Sequence, residues 1–267
     1  MKAGRCAFWA AVSIFLLGGC AAGAGGAAAG AAAGDIGVVL MHGKWGTPDR
    51  HIGDVAGALA RSGYRVENVE MPWSRTRLYD KSYDAALVEV DEAVARLRAR
   101  GARRVVVGGH SLGANAALAY GASRDGVAGV MALAPGHTPE RFAARLGDSL
   151  AKAKAMVAEG RGDSTAGFED INQGERRTVS VRARIYLSYF DPDGPAVMPR
   201  NTANLKPAAA LLWVVGTRDP LFARGAAYAF ADAPANPVSR YVVVPADHLS
   251  TPAASIDAVL AWLAALP

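Results

Sequence analysis

From residue 36 onward the chain alternates short, unbroken apolar runs with longer stretches in which apolar residues recur every three to four positions. "IGVVLMHG" (36–43) reads as a buried strand that ends in glycine. Residues 48–63 place Ile52, Val55, Ala56 and Leu59 on one helical face and stop at Gly63. "YRVENVEMP" (64–72) is a strand closed by Pro72. Residues 82–101 carry Leu87, Val90, Val94 and Leu97 at helical spacing and stop at Gly101. "RRVVVGG" is a strand again, followed by an alanine-rich helix over 112–121. Further strands are expected over 126–136, 209–217 and 239–246, with a closing helix over 255–266. Apolar runs without alternation suit parallel strands covered on both faces, and strand–helix alternation suits right-handed crossovers within one sheet. The expected class is therefore α/β, a mostly parallel sheet of about six strands flanked by helices.

Residues 137–207 break this rhythm. They separate two strands by far more than a normal connection. They read as a helical piece, a polar loop over 161–177 and an ambiguous stretch beyond it, together an inserted cap over the C-terminal edge of the sheet.

The N-terminus has a different character. Lys2 and Arg5 precede the apolar stretch "AFWAAVSIFLLGG", which is short for a bilayer span. Residues 1–19 read as a signal peptide. "LLGGC" resembles a bacterial lipoprotein signal, so Cys20 is expected to carry lipid and to anchor the protein at a membrane of the bacterial envelope, facing the periplasm. The alternative is ordinary signal cleavage and a soluble secreted or periplasmic protein. Residues 20–34, nearly all Ala and Gly, form a tether with a reach on the order of 20 Å. The remaining domain spans 35–267. Both cysteines, Cys6 and Cys20, lie in the leader, so the body has no thiol for a disulfide, a metal or catalysis. The net charge is +5, and +3 without Lys2 and Arg5. That is too weak to suggest nucleic acid. The basic run Arg96, Arg98, Arg100, Arg103 and Arg104 falls at a helix end, where cations complement the helix dipole.

The candidate chemistry starts at Gly109-His110-Ser111-Leu112-Gly113. This is G-x-S-x-G between a strand and a helix, a context that puts the serine on a sharp turn at a helix N-terminus. A serine hydroxyl needs a base. His248, in the loop after the last strand, lies at the same sheet edge and is the best candidate. His110 should point away from the serine, and His51 should sit exposed on a helix. The imidazole needs an acid to fix its tautomer. Asp219, after the penultimate strand, is first choice, with Asp191 and Asp193 second; Asp247 should diverge from its neighbour. An oxyanion needs two donors. The backbone N–H groups of Leu112 and Lys44 are the candidates, with Gly43 and Trp45 as near misses to Lys44. His42 should support the Lys44 loop. "DPDG" (191–194) lacks the further ligands of a calcium loop, and no metal site is expected.

The order Ser111, Asp219, His248, preceded by "HGKWG", resembles the α/β-hydrolase superfamily over residues 35–267. The resemblance implies an acyl-serine intermediate, no cofactor and a small-molecule ester substrate. It also implies a compact variant that lacks the superfamily's first antiparallel hairpin. The function expected is a serine carboxylesterase outside the cytoplasm. An acyltransferase or thioesterase on the same triad, or a catalytically silent envelope binding protein, are the alternatives. Phe168, Tyr186, Tyr189, Phe190, Trp45 and Trp73 are expected to shape an apolar acyl site.

Overall fold

The computed structural model describes residues 33–267. The expected signal peptide, Cys20 and most of the expected tether therefore lie outside the described residues. Six strands form the main sheet: β1 (Ile36–Met41), β2 (Arg65–Val69), β3 (Arg104–Ser111), β4 (Gly129–Pro135), β7 (Ala210–Gly216) and β8 (Arg240–Val244). A separate two-stranded sheet pairs β5 (Thr165–Asn172) with β6 (Glu175–Arg182). The main sheet runs β2-β1-β3-β4-β7-β8 and every neighbouring pair is parallel.

The apolar runs are continuous because both faces of this sheet are covered. In β1, Val39 and Met41 enter the core on one side, while Ile36, Val38 and Leu40 enter the core on the other. In β3, Val105 and Val107 oppose Val106 in the same way. The Tyr83–Ala99 and Leu112–Ser123 helices cover the first face. The Gly53–Arg61 and Ile256–Ala264 helices cover the second. The Tyr83–Ala99 helix starts at Ser82, whose side chain accepts from the Ala85 N–H and satisfies an otherwise orphaned donor.

Two expectations need correction here. The helix expected from residue 48 begins only at Gly53. His51 precedes it in a turn with φ +61° and is half-buried, its ring 5.6 Å from that of His110. It is neither helical nor exposed. Within the insert, the polar loop expected over 161–177 is largely the β5–β6 hairpin. Asn172 pairs with Glu175, so Gln173 and Gly174 form a two-residue turn, both with positive φ (50° and 83°). That is the backbone a tight hairpin requires.

The rest of the insert is helical: Pro139–Phe142, Gly147–Ala158, Ala183–Phe190 and Met198–Ala203. Its aromatics form its core. Phe168, Tyr186 and Phe190 stack with centroids 4.6 and 4.5 Å apart. Tyr189 meets Tyr79, Tyr83 and Trp73 edge-on and joins the insert to the 73–83 segment of the body. Its hydroxyl donates to the Lys81 carbonyl (3.1 Å).

Candidate active site

Parallel strands bring all their C-terminal ends to one edge, and the predicted site residues meet there. Ser111 ends β3 with φ +56° and ψ −115°, a strained conformation for a residue with a side chain. The turn is possible because the chain on either side has no Cβ. A Cβ on Gly109 would lie 2.5 Å from the Met41 carbonyl oxygen, and one on Gly113 would overlap the same carbonyl. The helix after the serine thus packs directly on β1.

His248 follows β8, and its Nε2 lies 3.0 Å from Ser111 Oγ. Its Nδ1 lies 2.7 Å from Asp219 Oδ2. Asp219 follows β7, and its Oδ1 accepts the Leu221 N–H at 2.7 Å, which fixes the carboxylate plane. All three residues are buried. With the proton on Nδ1 donated to Asp219, Nε2 is free to accept from the serine hydroxyl. The second-choice acids stand elsewhere. Asp191 pairs with Lys154 (3.1 Å) and accepts the Asp193 N–H. Asp247 diverges and caps its own loop, accepting from the Leu249 and Ser250 N–H groups.

The histidines around the triad are held neutral. His110 points to the far side of the serine, but it is not idle. Its Nε2–H donates to the His248 carbonyl at 2.9 Å and supports the loop that carries that ring. Burial pushes its pKa down to about 3. His42 donates from Nδ1 to the Gly43 carbonyl and accepts the Met71 N–H at Nε2. Its own carbonyl accepts from Trp73 Nε1 (2.9 Å), so it supports the 42–46 loop. His137, beside the serine, donates from Nε2 to the Tyr189 carbonyl (2.7 Å). Burial holds it, too, well below the usual histidine range.

Of the residues expected to supply oxyanion donors, Leu112 follows Ser111 directly and Lys44 lines both cavities that Ser111 lines; neither N–H donates to any described residue. Leu112 is the first residue of its helix, whose N–H has no partner within the helix. The Lys44 side chain is a finding the sequence did not suggest. It is buried, and its Nζ donates to Asp170 Oδ1 (2.6 Å) and to the Ile171 carbonyl (2.9 Å), both on β5.

Two cavities meet at the serine. The larger, about 640 Å³, is lined by Phe142, Ile171, Pro220 and Leu221, and also by Arg141 and Arg145. The smaller, about 290 Å³, lies on the Trp45, His51 and Leu249 side. Ser111, Lys44 and His248 line both. The expected aromatic acyl site is not what lines them. Phe168, Tyr186, Tyr189, Phe190 and Trp73 are fully buried in packing between insert and body, and of the six only Trp45 reaches a cavity. Among the described residues, no three His, Cys, Asp or Glu side chains cluster as a metal-ligand set.

The sequence profile of the alpha/beta hydrolase family matches residues 38–261. The chain belongs to that family. A search of curated protein sequences found no match. Among solved structures, the fold is similar to a monoacylglycerol lipase of Paleococcus ferrophilus, at 19% identity over 86% of this chain and 95% of that one, with a TM-score of 0.61. It is similar to a structure from the metagenome-derived lipolytic enzymes LipS and LipT, at 15% identity over 88% and 95%, with a TM-score of 0.60. It is also similar to ferulic acid-bound Est1E of Butyrivibrio proteoclasticus, at 16% identity over 86% and 88%, with a TM-score of 0.59.

Proposed function

We propose that the protein is a serine hydrolase that cleaves carboxylic esters through an acyl-Ser111 intermediate. The observation that carries this reading is the continuous hydrogen-bonded chain Ser111–His248–Asp219, at 3.0 and 2.7 Å, opening onto two cavities. His248 Nε2 takes the hydroxyl proton as Oγ attacks the ester carbonyl, and Asp219 stabilises the imidazolium that forms. The Leu112 and Lys44 N–H groups hold the oxyanion. His248 then returns the proton to the leaving alcohol. A water activated by the same ring releases the acid and regenerates the serine. The two cavities flanking Oγ suit the two halves of an ester, the larger for the acyl portion. A lipase and lipolytic enzymes among the similar folds agree with ester chemistry.

The test is a p-nitrophenyl ester panel with fluorophosphonate labelling. Ser111→Ala should abolish labelling and lower turnover on the order of 10⁴- to 10⁶-fold. Near-normal turnover in that variant would end the reading.

The place of action proposed is the bacterial envelope, with lipid on Cys20 and the Ala/Gly segment as tether. Among the described residues no helix is long and apolar enough to cross a membrane, so the anchor rests on the leader. Cys20→Ala should move the protein out of the membrane fraction; a wild-type protein wholly in the soluble periplasmic fraction would refute the lipid anchor.

A further inference from the structure

The oxyanion loop is short and unusual. Trp45 has φ +54°, outside the range that side-chain-bearing residues favour, and beyond its own turn the loop has two backbone ties to the body, from the Trp45 N–H to the Trp73 carbonyl (2.9 Å) and from the Arg75 N–H to the Gly46 carbonyl (3.3 Å). Such a conformation persists only where its surroundings over-determine it. Here the body supplies part of the surroundings, through Met71, Trp73 and Arg75, and the insert grips the side chains. Asp170 of β5 is fully buried. Its Oδ1 accepts from Lys44 Nζ (2.6 Å), and its Oδ2 accepts from Trp45 Nε1 (3.0 Å) and from the Tyr79 hydroxyl (2.6 Å). One carboxylate thus grips two consecutive loop residues and the body at once. The same hairpin adds Asn172 Nδ2, which donates to the Lys44 carbonyl (3.3 Å), and the Arg177 guanidinium, which stacks on the Trp45 ring at 3.6 Å.

We infer that Asp170 is a positioning residue for catalysis: through the Lys44 ammonium and the Trp45 indole it holds the Lys44 peptide so that its N–H faces the developing oxyanion. This rests on the serine-hydrolase reading above. The insert is then a fixed wall that completes the oxyanion hole, and not a lid that opens over it. The Lys44 side chain is spent on this tie and is unavailable to a substrate anion. Asp170 itself touches neither serine nor cavity; the larger cavity is lined by its neighbours Ile171 and Asn172.

The test compares Asp170→Asn and Tyr79→Phe with the wild type. The readouts are kcat, KM and the inhibition constant of an alkyl boronic acid, which mimics the tetrahedral adduct. Loss of one well-aimed oxyanion donor lowers kcat on the order of 10²-fold. Asp170→Asn should show a loss of that order, in kcat and with KM little changed. Boronate affinity should fall in parallel with kcat/KM, which a general loss of folded protein would not produce once active sites are counted by fluorophosphonate. Tyr79→Phe removes one donor to Asp170, far from substrate, and should show the same pattern at smaller amplitude. If Asp170→Asn does not fold, Tyr79→Phe decides alone. Wild-type kcat and boronate affinity in the folded variant, or a loss confined to KM, would overturn the inference. An inactive Ser111→Ala beside a fully active Asp170→Asn would sink only this inference, whereas an active Ser111→Ala would sink the reading beneath it.

Discussion

Replacing Gly136 by alanine should separate catalysis from folding in this protein. Gly136 follows β4 and faces the reacting atoms across the cavity. A Cβ there would lie 2.8 Å from Ser111 Oγ and 3.2 Å from His248 Cε1, with Ser111 Cα next at 3.5 Å. Its nearest neighbours are thus all triad atoms. Gly136 is not among the glycines with positive φ, so alanine can adopt its backbone without strain. An unstrained carbon contact sits at roughly 3.5 Å or more, so the methyl overlaps the hydroxyl by several tenths of an ångström. The cheapest relief is rotation of the serine side chain, which takes Oγ off His248 Nε2 and breaks the 3.0 Å contact. Holding Oγ in the productive rotamer against the methyl costs what overpacking usually costs, about 1–3 kcal/mol, or about 10- to 10²-fold in rate. Folding should not suffer, because Gly→Ala at a compatible site stabilises by about 0.4–1 kcal/mol through the unfolded chain. The assay is kcat/KM on p-nitrophenyl butyrate, the fluorophosphonate labelling rate and a thermal melt. The expected result is a loss of one to two decades in kcat/KM and labelling rate, with Tm within about 4 °C of wild type. Full activity and labelling in a folded Gly136→Ala would mean that the serine does not work from this rotamer.

The burial and charge of neighbouring groups lead to three further outcomes. His110, with its pKa pushed down to about 3, and His137 and His42, also lowered by burial, resist protonation in the fold, while the unfolded chain takes up protons near pH 6.5. Stability is therefore fully present above about pH 6.5 and falls as pH drops below it; at pH 5 a fully shifted histidine costs about 2 kcal/mol. Urea midpoints at pH 7.5 and 5 should differ accordingly, and equal midpoints would refute this. Phe168→Ala and Tyr189→Ala should cost about 3–5 kcal/mol of stability and leave the ester chain-length profile unchanged, whereas Phe142→Ala, at the cavity wall, should flatten it; denaturant melts and the ester panel separate the two classes. Arg141 and Arg145 line the larger cavity without a carboxylate partner among the described residues. An ester with a distal carboxylate on its acyl side should be preferred over a neutral one of equal length, and the preference should fade at ~0.5 M salt and in the Arg141→Gln/Arg145→Gln variant; a preference unmoved by both would refute it.

The features legible in the chain and those hidden in it divide along a physical line. The sheet is legible because strands buried on both faces must be apolar at every position, as in Val105, Val106 and Val107, and no other residue has to be consulted to see it. The meeting of Ser111, Asp219 and His248 is legible because each stands at or just beyond the C-terminal end of a strand, and parallel strands bring those ends to one edge. The hairpin at β5–β6 is hidden because one of its inward positions is a charge. Asp170 breaks the apolar alternation that marks a half-buried strand, and it can be inward only because Lys44, 126 residues earlier, supplies the counter-charge. The same distance hides the use of the Lys44 side chain. His110 faces away from the serine, as its neighbouring position demands, but its bond to the His248 carbonyl spans 138 residues and leaves no local mark. The aromatics of the insert mislead for a related reason. A tyrosine or phenylalanine is as apolar packed on another ring as it is facing a cavity, so composition cannot say which. Tyr189 is decided by Tyr79, Tyr83 and Trp73, residues that reach it only once the insert has folded back on the body. Backbone chemistry at this site is therefore local and periodic, while substrate space and oxyanion geometry depend on pairs that only the tertiary fold brings together. Substitutions at insert positions that face the cavity or the Lys44 loop, such as Phe142 and Asp170, should accordingly change selectivity or turnover without disturbing the strand-borne Ser111, Asp219 and His248.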